Sequence, residues 1–159
     1  MDATRDAGFI FALLNSPKFI KYIGDRGVRS VDEAAAFIDT RYRQSYIDHG
    51  FGLYTVELLP DKTQIGICGL VKRDTLPEPD LGFAFLPEHE RKGYGYEAAA
   101  ATIEYGRDSL GLSHLLAITS LENGASIGLL EKLGFAFVRV IESGDDRLNL
   151  FEAFLDRVN

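Results

Sequence analysis

The stretch from Asp80 to Glu97, DLGFAFLPEHERKGYGYE, changes character twice and constrains the rest of the chain. An alternating apolar run stops at Pro87, and a charged loop with two glycines then leads into an alanine-rich segment. This pattern predicts a strand, a turn and a helix start. Gly93 and Gly95 let the backbone pass close to a ligand, and the first helix amides point outward without intrahelical partners. Because such helix starts bind anions, the stretch predicts a phosphate site.

Hydrophobic periodicity predicts a mixed α+β chain around this stretch. Two helices come first, at 4–14 and 30–47, with an apolar segment at 19–23 that runs into a glycine break between them. An antiparallel hairpin follows, from strands at 52–59 and 64–72. The later elements are a strand at 81–86, a helix at 96–108, a strand at 115–120, a helix at 123–133 capped by Asn123, and strands at 135–141 and 148–155. Together they predict a mixed sheet with helices on its faces.

Composition limits the classes of protein to which the chain can belong. Its 159 residues, 46% of them hydrophobic, predict one globular domain that spans 1–159. The net charge of −7 argues against a nucleic-acid or membrane-surface protein, because there is no basic excess to neutralise phosphates. A small anionic ligand remains possible, since it needs only local donors.

Cysteine and histidine usage gives no metal site. Cys68 is the one cysteine, which excludes an intramolecular disulfide and a cysteine cluster for zinc, and the three histidines form no spaced cluster. The N-terminus lacks the pattern of a secretory signal, and no later segment approaches the roughly 20 apolar residues of a membrane span. The sequence therefore predicts a cytoplasmic protein in a reducing compartment.

Three kinds of phosphate loop compete for the glycine turn. A P-loop requires GxxxxGK followed by Ser or Thr, whereas Lys92 precedes Gly93 here. The dinucleotide fingerprint is matched by the two glycines and Ala98, but residues 112–114, where its ribose-binding acid is expected, read LSH. A nucleotide-binding oxidoreductase is therefore a distant interpretation.

The third kind of loop fits best. ERKGYG at 90–95 resembles the Gln/Arg-x-x-Gly-x-Gly/Ala signature of the GNAT superfamily of acetyl-CoA-dependent N-acetyltransferases, with Glu90 as a departure from the usual Gln or Arg. PEHERKGYGYEAA together with the later ENGASIGLLEKLGF is similar to the RimJ/RimL-type branch, which carries Asn-x-x-Ser and Lys-Leu-Gly-Phe in its second motif. The resemblance covers residues 15–154, and two linked motifs are far more specific than a single glycine pair.

The resemblance implies the GNAT fold. That fold has a mostly antiparallel twisted sheet, helices on both faces, and a fourth strand that splays from the fifth. The branch begins with a strand that carries an Arg-Leu-x-Leu-Arg-like stretch, and only Met1 to Arg5 precede the first helix here. The first strand is therefore expected to be missing or shortened. The exposed sheet edge suggests, as a hypothesis, that a second chain covers it in a homodimer.

The resemblance also implies a binding site for acetyl-CoA as co-substrate. Main-chain groups at the end of the splaying strand would hold pantetheine and polarise the thioester, at Phe83, Ala84, Phe85 and Leu86. The glycine loop would hold the pyrophosphate. The remaining candidates for contact with the coenzyme are Arg91, Lys92, Gly93, Tyr94, Gly95, Tyr96, Asn123 and Ser126.

Two residues are candidates for the chemistry. Asp80, at the start of the splaying strand, is the candidate base that relays the amine proton through water; the alternative is an ordinary loop acid. Ser126 is the candidate that hydrogen-bonds or protonates the CoA sulfur, and the alternative is a first-turn helix serine. The reaction needs a deprotonated amine, a polarised carbonyl and a protonated thiolate, and it requires no metal.

The predicted function is acetyl transfer to a primary amine by direct attack on the thioester. The acceptor is either a protein N-terminal α-amine or a small-molecule amine, because its pocket would come from residues 19–51 and 72–80, which one sequence does not specify. The alternative is a non-catalytic acyl-CoA-binding module, in which Glu90 and the shortened start mark lost turnover.

Overall fold

The computed structural model describes residues 1–156 and contains an open six-stranded sheet. The strands lie in the order β1-β2-β3-β4-β6-β5, and neighbours are antiparallel except for β3 and β4. This arrangement confirms the predicted α+β fold with a mostly antiparallel sheet. The strands are β1 (Leu53–Glu57), β2 (Gln64–Val71), β3 (Asp80–Phe85), β4 (His114–Ser120), β5 (Ala136–Ser143) and β6 (Asp146–Phe154).

Helices cover both faces of the sheet. Buried side chains of α1 and α3 pack with Ile67, whereas those of α5 and α6 pack with Cys68. Since adjacent strand residues point to opposite faces, these two clusters define an α1 face and an α5 face. No helix within residues 1–156 is long and apolar enough to cross a membrane. The helices are α1 (Ala7–Leu14), α2 (Pro17–Tyr22), α3 (Val31–Phe37), α4 (Gln44–His49), α5 (Tyr94–Asp108) and α6 (Gly124–Lys132).

The first helices differ from the sequence prediction. Helix α1 begins at Ala7 rather than Thr4, because Asp2 Oδ1 accepts from the Thr4 and Arg5 amides at 2.9 and 2.7 Å and holds that segment in a turn. Residues 17–22 form helix α2, which was not predicted, with a proline at its first position. The sequence predicted one helix at 30–47, whereas the structure has α3, a π-helical segment at Ile38–Arg43 and then α4.

The sheet is joined across its middle at a single place. Strands β3 and β4 share one parallel register pair, Asp80 with Leu116, next to a 3.0 Å hydrogen bond from Leu116 N to Pro79 O. By contrast, every residue of β3 pairs with β2, and every residue of β4 pairs with β6. No further register pair links residues 81–85 to residues 117–120. The two strands therefore splay, and the gap between them is open to the loop that follows β3.

Candidate active site

The loop between β3 and α5 has a backbone shape that suits an anion. One 3-10 turn at Pro87–His89 leads into two positive φ angles, +61° at Arg91 and +85° at Gly93. Helix α5 begins at Tyr94, and Glu97 N donates to Gly93 O at 3.1 Å. The amides at 94–96 therefore lack intrahelical acceptors and stand at the positive end of the helix dipole. An anionic group bound here would meet unused donors.

The two glycines of the loop have different roles. Gly93 is in the left-handed region, where a side chain is disfavoured, although a Cβ there would have open space around it. Gly95 allows close packing, since a Cβ there would lie 3.4 Å from Leu129 Cδ2 of α6 and 3.6 Å from Phe85 Cε2 of β3. Arg91 also has a left-handed backbone conformation, and because it is not a glycine this conformation costs of order 1 kcal/mol. Strained residues of this kind concentrate at ligand sites.

Main-chain groups at the end of β3 divide between the sheet and the gap. The Leu86 amide donates to a β2 carbonyl at 2.9 Å, whereas the Pro79 carbonyl accepts from β4 at 3.0 Å. Successive strand residues turn their N–H and C=O groups to opposite sides. Phe83 and Phe85 therefore present these groups to the gap, and Ala84, like Leu86, presents them to β2. Of the four residues predicted to hold the acyl arm, Phe83 and Phe85 direct free main-chain groups to the gap.

Helix α6 borders the same gap. Its N-cap is Asn123, as predicted, whose Oδ1 accepts from Ser126 N at 3.2 Å. Ser126 and Leu129 are three residues apart and share a face of the helix. Because Leu129 lies against Gly95, the half-buried Ser126 is on the side of α6 that faces the glycine loop. The fold thus brings the two sequence motifs together.

Asp80 lies at the closed end of the gap. It is 1% exposed, points to the α1 face by alternation from Phe83, and accepts from Arg73 Nε at 2.9 Å. Burial raises the pKa of its carboxyl above the usual range, and the guanidinium of Arg73 acts in the opposite direction. Asp80 is roughly 16 Å along the strand from Phe85, at about 3.3 Å per residue. The glycine loop and Asp80 are therefore at opposite ends of β3.

Ser120 is a candidate that the sequence analysis missed. Its Oγ is shielded from solvent, and it and Thr55 Oγ1 are the two buried side-chain oxygens in residues 1–156 without a hydrogen-bond partner. Ser120 ends β4 and alternates with Leu116, which puts its side chain on the same face as Asp80. Only its position directly before the Asn123 segment could have indicated it from the sequence. Buried unpaired hydroxyls are rare and invite a functional explanation.

The charged and aromatic candidates of the loop are accessible. Arg91 and Lys92 are exposed, Tyr94 is half-buried and Tyr96 is 48% exposed, so all four side chains can meet a ligand from solvent. Within residues 1–156, no three His, Cys, Asp or Glu side chains gather as a metal-binding set. A separate cleft of about 410 Å³ lies between β1, β2 and α5, and it contains none of the predicted site residues.

The open sheet, the gap between β3 and β4 and the glycine loop at the start of α5 define the class of domain to which the chain belongs. The family model described as "Acetyltransferase (GNAT) domain" matches residues 2–136. The chain is 31% identical over 134 residues to the "Uncharacterized N-acetyltransferase YoaA" of Bacillus subtilis (strain 168), which covers 82% of this chain and 74% of that protein. The protein belongs to the GNAT acetyltransferase domain family and is an N-acetyltransferase, which transfers an acetyl group to an amine.

Solved structures share the fold. An acetyltransferase from Agrobacterium tumefaciens str. C58 has a TM-score of 0.79 at 21% identity and covers 93% of this chain and 84% of its own. A spermidine N-acetyltransferase from Vibrio cholerae, in complex with CoA and spermine, has a TM-score of 0.75 at 20% identity and covers 94% of this chain and 89% of its own. At about 20% identity, these two likenesses show that the chain shares its fold with both proteins.

The unpaired Ser120 hydroxyl generates a stability prediction. Ser120→Ala should raise the free energy of unfolding by about 1 kcal/mol, because it removes a buried polar atom without a partner. Ser16→Ala is the matched control: its Oγ is also buried but donates to Leu13 O at 2.8 Å, so its loss should lower stability by about 1 kcal/mol. Urea unfolding of both variants measures the difference. Equal losses would show that the Ser120 hydroxyl has a partner in solution.

The burial of Asp80 generates a pH prediction. Its folded pKa lies above the ordinary 3.8, so the native state holds this proton more tightly than the unfolded chain does. The protonated Asp80 carboxyl contributes its full stabilisation of the native state below pH 3.8, and this contribution is lost as the pH rises through the folded pKa. Wild type should therefore lose unfolding free energy relative to Asp80→Asn as the pH rises above 3.8, in urea titrations at each pH.

A control of opposite sign is available for this measurement. Asp108 is exposed, and the neighbouring Arg107 lowers its pKa. Wild type should gain stability relative to Asp108→Asn as the pH rises from below 3.8, because the paired carboxylate is charged in that range. A difference between wild type and Asp80→Asn that stays flat, or that grows with pH, would contradict the assigned direction for Asp80.

Proposed function

We propose that the protein transfers the acetyl group of acetyl-CoA to a primary amine by direct attack on the thioester. The observation that carries this proposal is the loop at 90–96, where free helix amides and two left-handed residues face an open gap between strands. A pyrophosphate fits such donors, and the amide-bearing pantetheine arm fits the free main-chain groups of Phe83 and Phe85. Arg91, Lys92, Tyr94 and Tyr96 surround the phosphate end.

The proposed step balances without a metal. The amine nitrogen forms a bond to the thioester carbonyl carbon, the C–S bond breaks, and the sulfur leaves as a thiolate. Asp80 takes the proton of the amine through water, and its raised pKa brings it closer to the working pH of a general base. Ser126 donates to the sulfur, and the Asn123 amide, with its oxygen occupied by the cap, has its NH₂ free for the coenzyme.

The acceptor is proposed at the level of chemical class. We place the chain in the RimJ/RimL-like branch on its two linked motifs, as a single domain that spans 1–159 in the cytoplasm. A protein N-terminal α-amine and a small-molecule amine both suit this branch. Ala84 and Leu86 pack in the α1-face cluster, so the helices of that face would form the acceptor side.

The first experiment separates the proposed ligand from other nucleotides. Thermal unfolding is followed with CoA, NAD and ATP, and CoA at 100 times its Kd should stabilise the fold by about 2.7 kcal/mol. Acetyl-CoA should then release thiol when members of an amine panel are added, including α-amine peptides and polyamines. Stabilisation by NAD but not by CoA would overturn the proposal.

The second experiment separates chemistry from binding. Ser126→Ala should slow thiol release on the order of 10²-fold with CoA affinity nearly unchanged, because the hydroxyl acts on the leaving sulfur. Asp80→Asn should slow it similarly and remove the acidic limb of the pH–rate profile. Ser109→Ala, at the exposed end of α5, is the matched control. Equal loss of rate and CoA affinity in Ser126→Ala would move that residue from catalysis to binding.

We also propose that a second copy of the chain covers an open sheet edge. Strands β1 and β5 are the outer strands of the sheet, and unpaired strand edges are normally covered or blocked. Light scattering should therefore give the mass of a dimer. A monomer at high protein concentration would contradict this.

A further inference from the structure

Glu90, the residue that departs from the family signature, has a partner in a distant part of the chain. Its carboxylate forms a hydrogen-bonded ion pair with Lys18 Nζ, on the second residue of helix α2. The two side chains are 27% and 50% exposed, so solvent screens the pair only in part. No sequence pattern connects the two residues, which are 72 positions apart.

Helix α2 places Lys18 in this position. Pro17 fixes the backbone at the first turn of the helix, and Phe19 is 5% exposed in the α1-face cluster. Lys18 lies between these two anchors, so its side chain is directed outward, toward the glycine loop. The acceptor-side helices therefore supply a cation to the loop that ends β3.

The charge balance of the loop depends on this cation. Residues 88–92 read EHERK, so Glu88 and Glu90 cancel Arg91 and Lys92, with histidine neutral. A carboxylate at the entry of a phosphate loop repels a bound phosphate, because like charges within a few ångströms repel each other even in water. With Lys18 included, the local charge becomes +1.

We propose that Lys18 is a positioning residue for coenzyme binding: it neutralises Glu90 and makes an acidic residue compatible with the pyrophosphate of CoA. The inference rests on the proposed function, because it takes the loop as the CoA phosphate site. A neutral Gln at this position would bring no negative charge to the loop and would need no such partner. The ion pair also ties α2, on the acceptor side, to the loop that receives the coenzyme.

A double-mutant cycle on CoA affinity tests the inference. Isothermal titration gives the Kd of CoA for wild type, Lys18→Met, Glu90→Gln and the double variant. Lys18→Met should weaken binding roughly 3- to 10-fold, because it leaves Glu90 unpaired beside the phosphates. Adding Glu90→Gln should restore the Kd to within about twofold of wild type. Glu90→Gln alone should bind as tightly as wild type or more tightly.

Two further measurements exclude a merely structural effect. Lys21→Met removes the same charge from the same helix, where Lys21 lies 4.9 Å over the Tyr22 ring instead of pairing with Glu90, and should leave the Kd unchanged. S-acetylpantetheine lacks the phosphates, so its KM should be the same in Lys18→Met and wild type.

The outcomes are distinct. If wild type binds CoA but the double variant binds as weakly as Lys18→Met, or if Lys21→Met weakens binding equally, Lys18 does not act through Glu90 and the inference is wrong. If the KM of S-acetylpantetheine rises along with the Kd of CoA, the substitution has disturbed the site as a whole and the inference is also wrong. If wild type binds no CoA, the proposed function fails, and this inference fails with it.

Discussion

The single parallel pair between Asp80 and Leu116 determines how the two halves of the sheet meet. On one side, β3 is held by a full antiparallel ladder to β2, and on the other, β4 is held by a full ladder to β6. Only one register position joins the two halves. Main-chain groups of Phe83 and Phe85 are therefore left without strand partners inside the molecule. Buried main-chain groups require hydrogen bonds, so a ligand arm that bears amides is a natural partner for this gap.

The same joint explains the environment of Asp80. A carboxylate at the point where two strands close must be almost fully removed from water, and this raises its pKa. Arg73, which is 37% exposed, is the nearest cation and limits that rise. The two effects keep the group paired in the fold and also make it a better proton acceptor near neutral pH than an exposed carboxylate. Structural and catalytic roles are thus compatible for Asp80, and rate measurements distinguish them better than stability does.

Local patterns predicted most of the fold, and long-range contacts account for what they missed. Periodicity and capping rules predicted three features that depend on only a few neighbouring residues each. These are the hairpin of β1 and β2, the Asn123 cap and the loop before α5. Helix α2 was not predicted, because six residues are too few to show a clear helical period. The helix is stabilised instead by the packing of Phe19 in the α1-face cluster, which is a long-range contact.

Within the candidate site, the division of main-chain groups in β3 depends on strand pairing, which the sequence does not specify. The unpaired Ser120 hydroxyl is visible only once β4 has neighbours on both sides. Both are properties of the assembled sheet rather than of any short segment.

Glu90 shows why a motif must be read together with its surroundings. Considered alone, an acid at the first position of a phosphate loop suggested lost activity, because like charges repel. The fold places Lys18 against it, so the repulsion has a specific counter-charge from another part of the chain. Arg91, the next residue, has a strained left-handed backbone, and this conformation is part of the loop shape that leaves the helix amides pointing outward. The acidic side chain of Glu90 and the strained backbone of Arg91 are both locally unfavourable, and Lys18 offsets the first of them. Such features are expected in a loop whose shape serves ligand binding rather than its own stability.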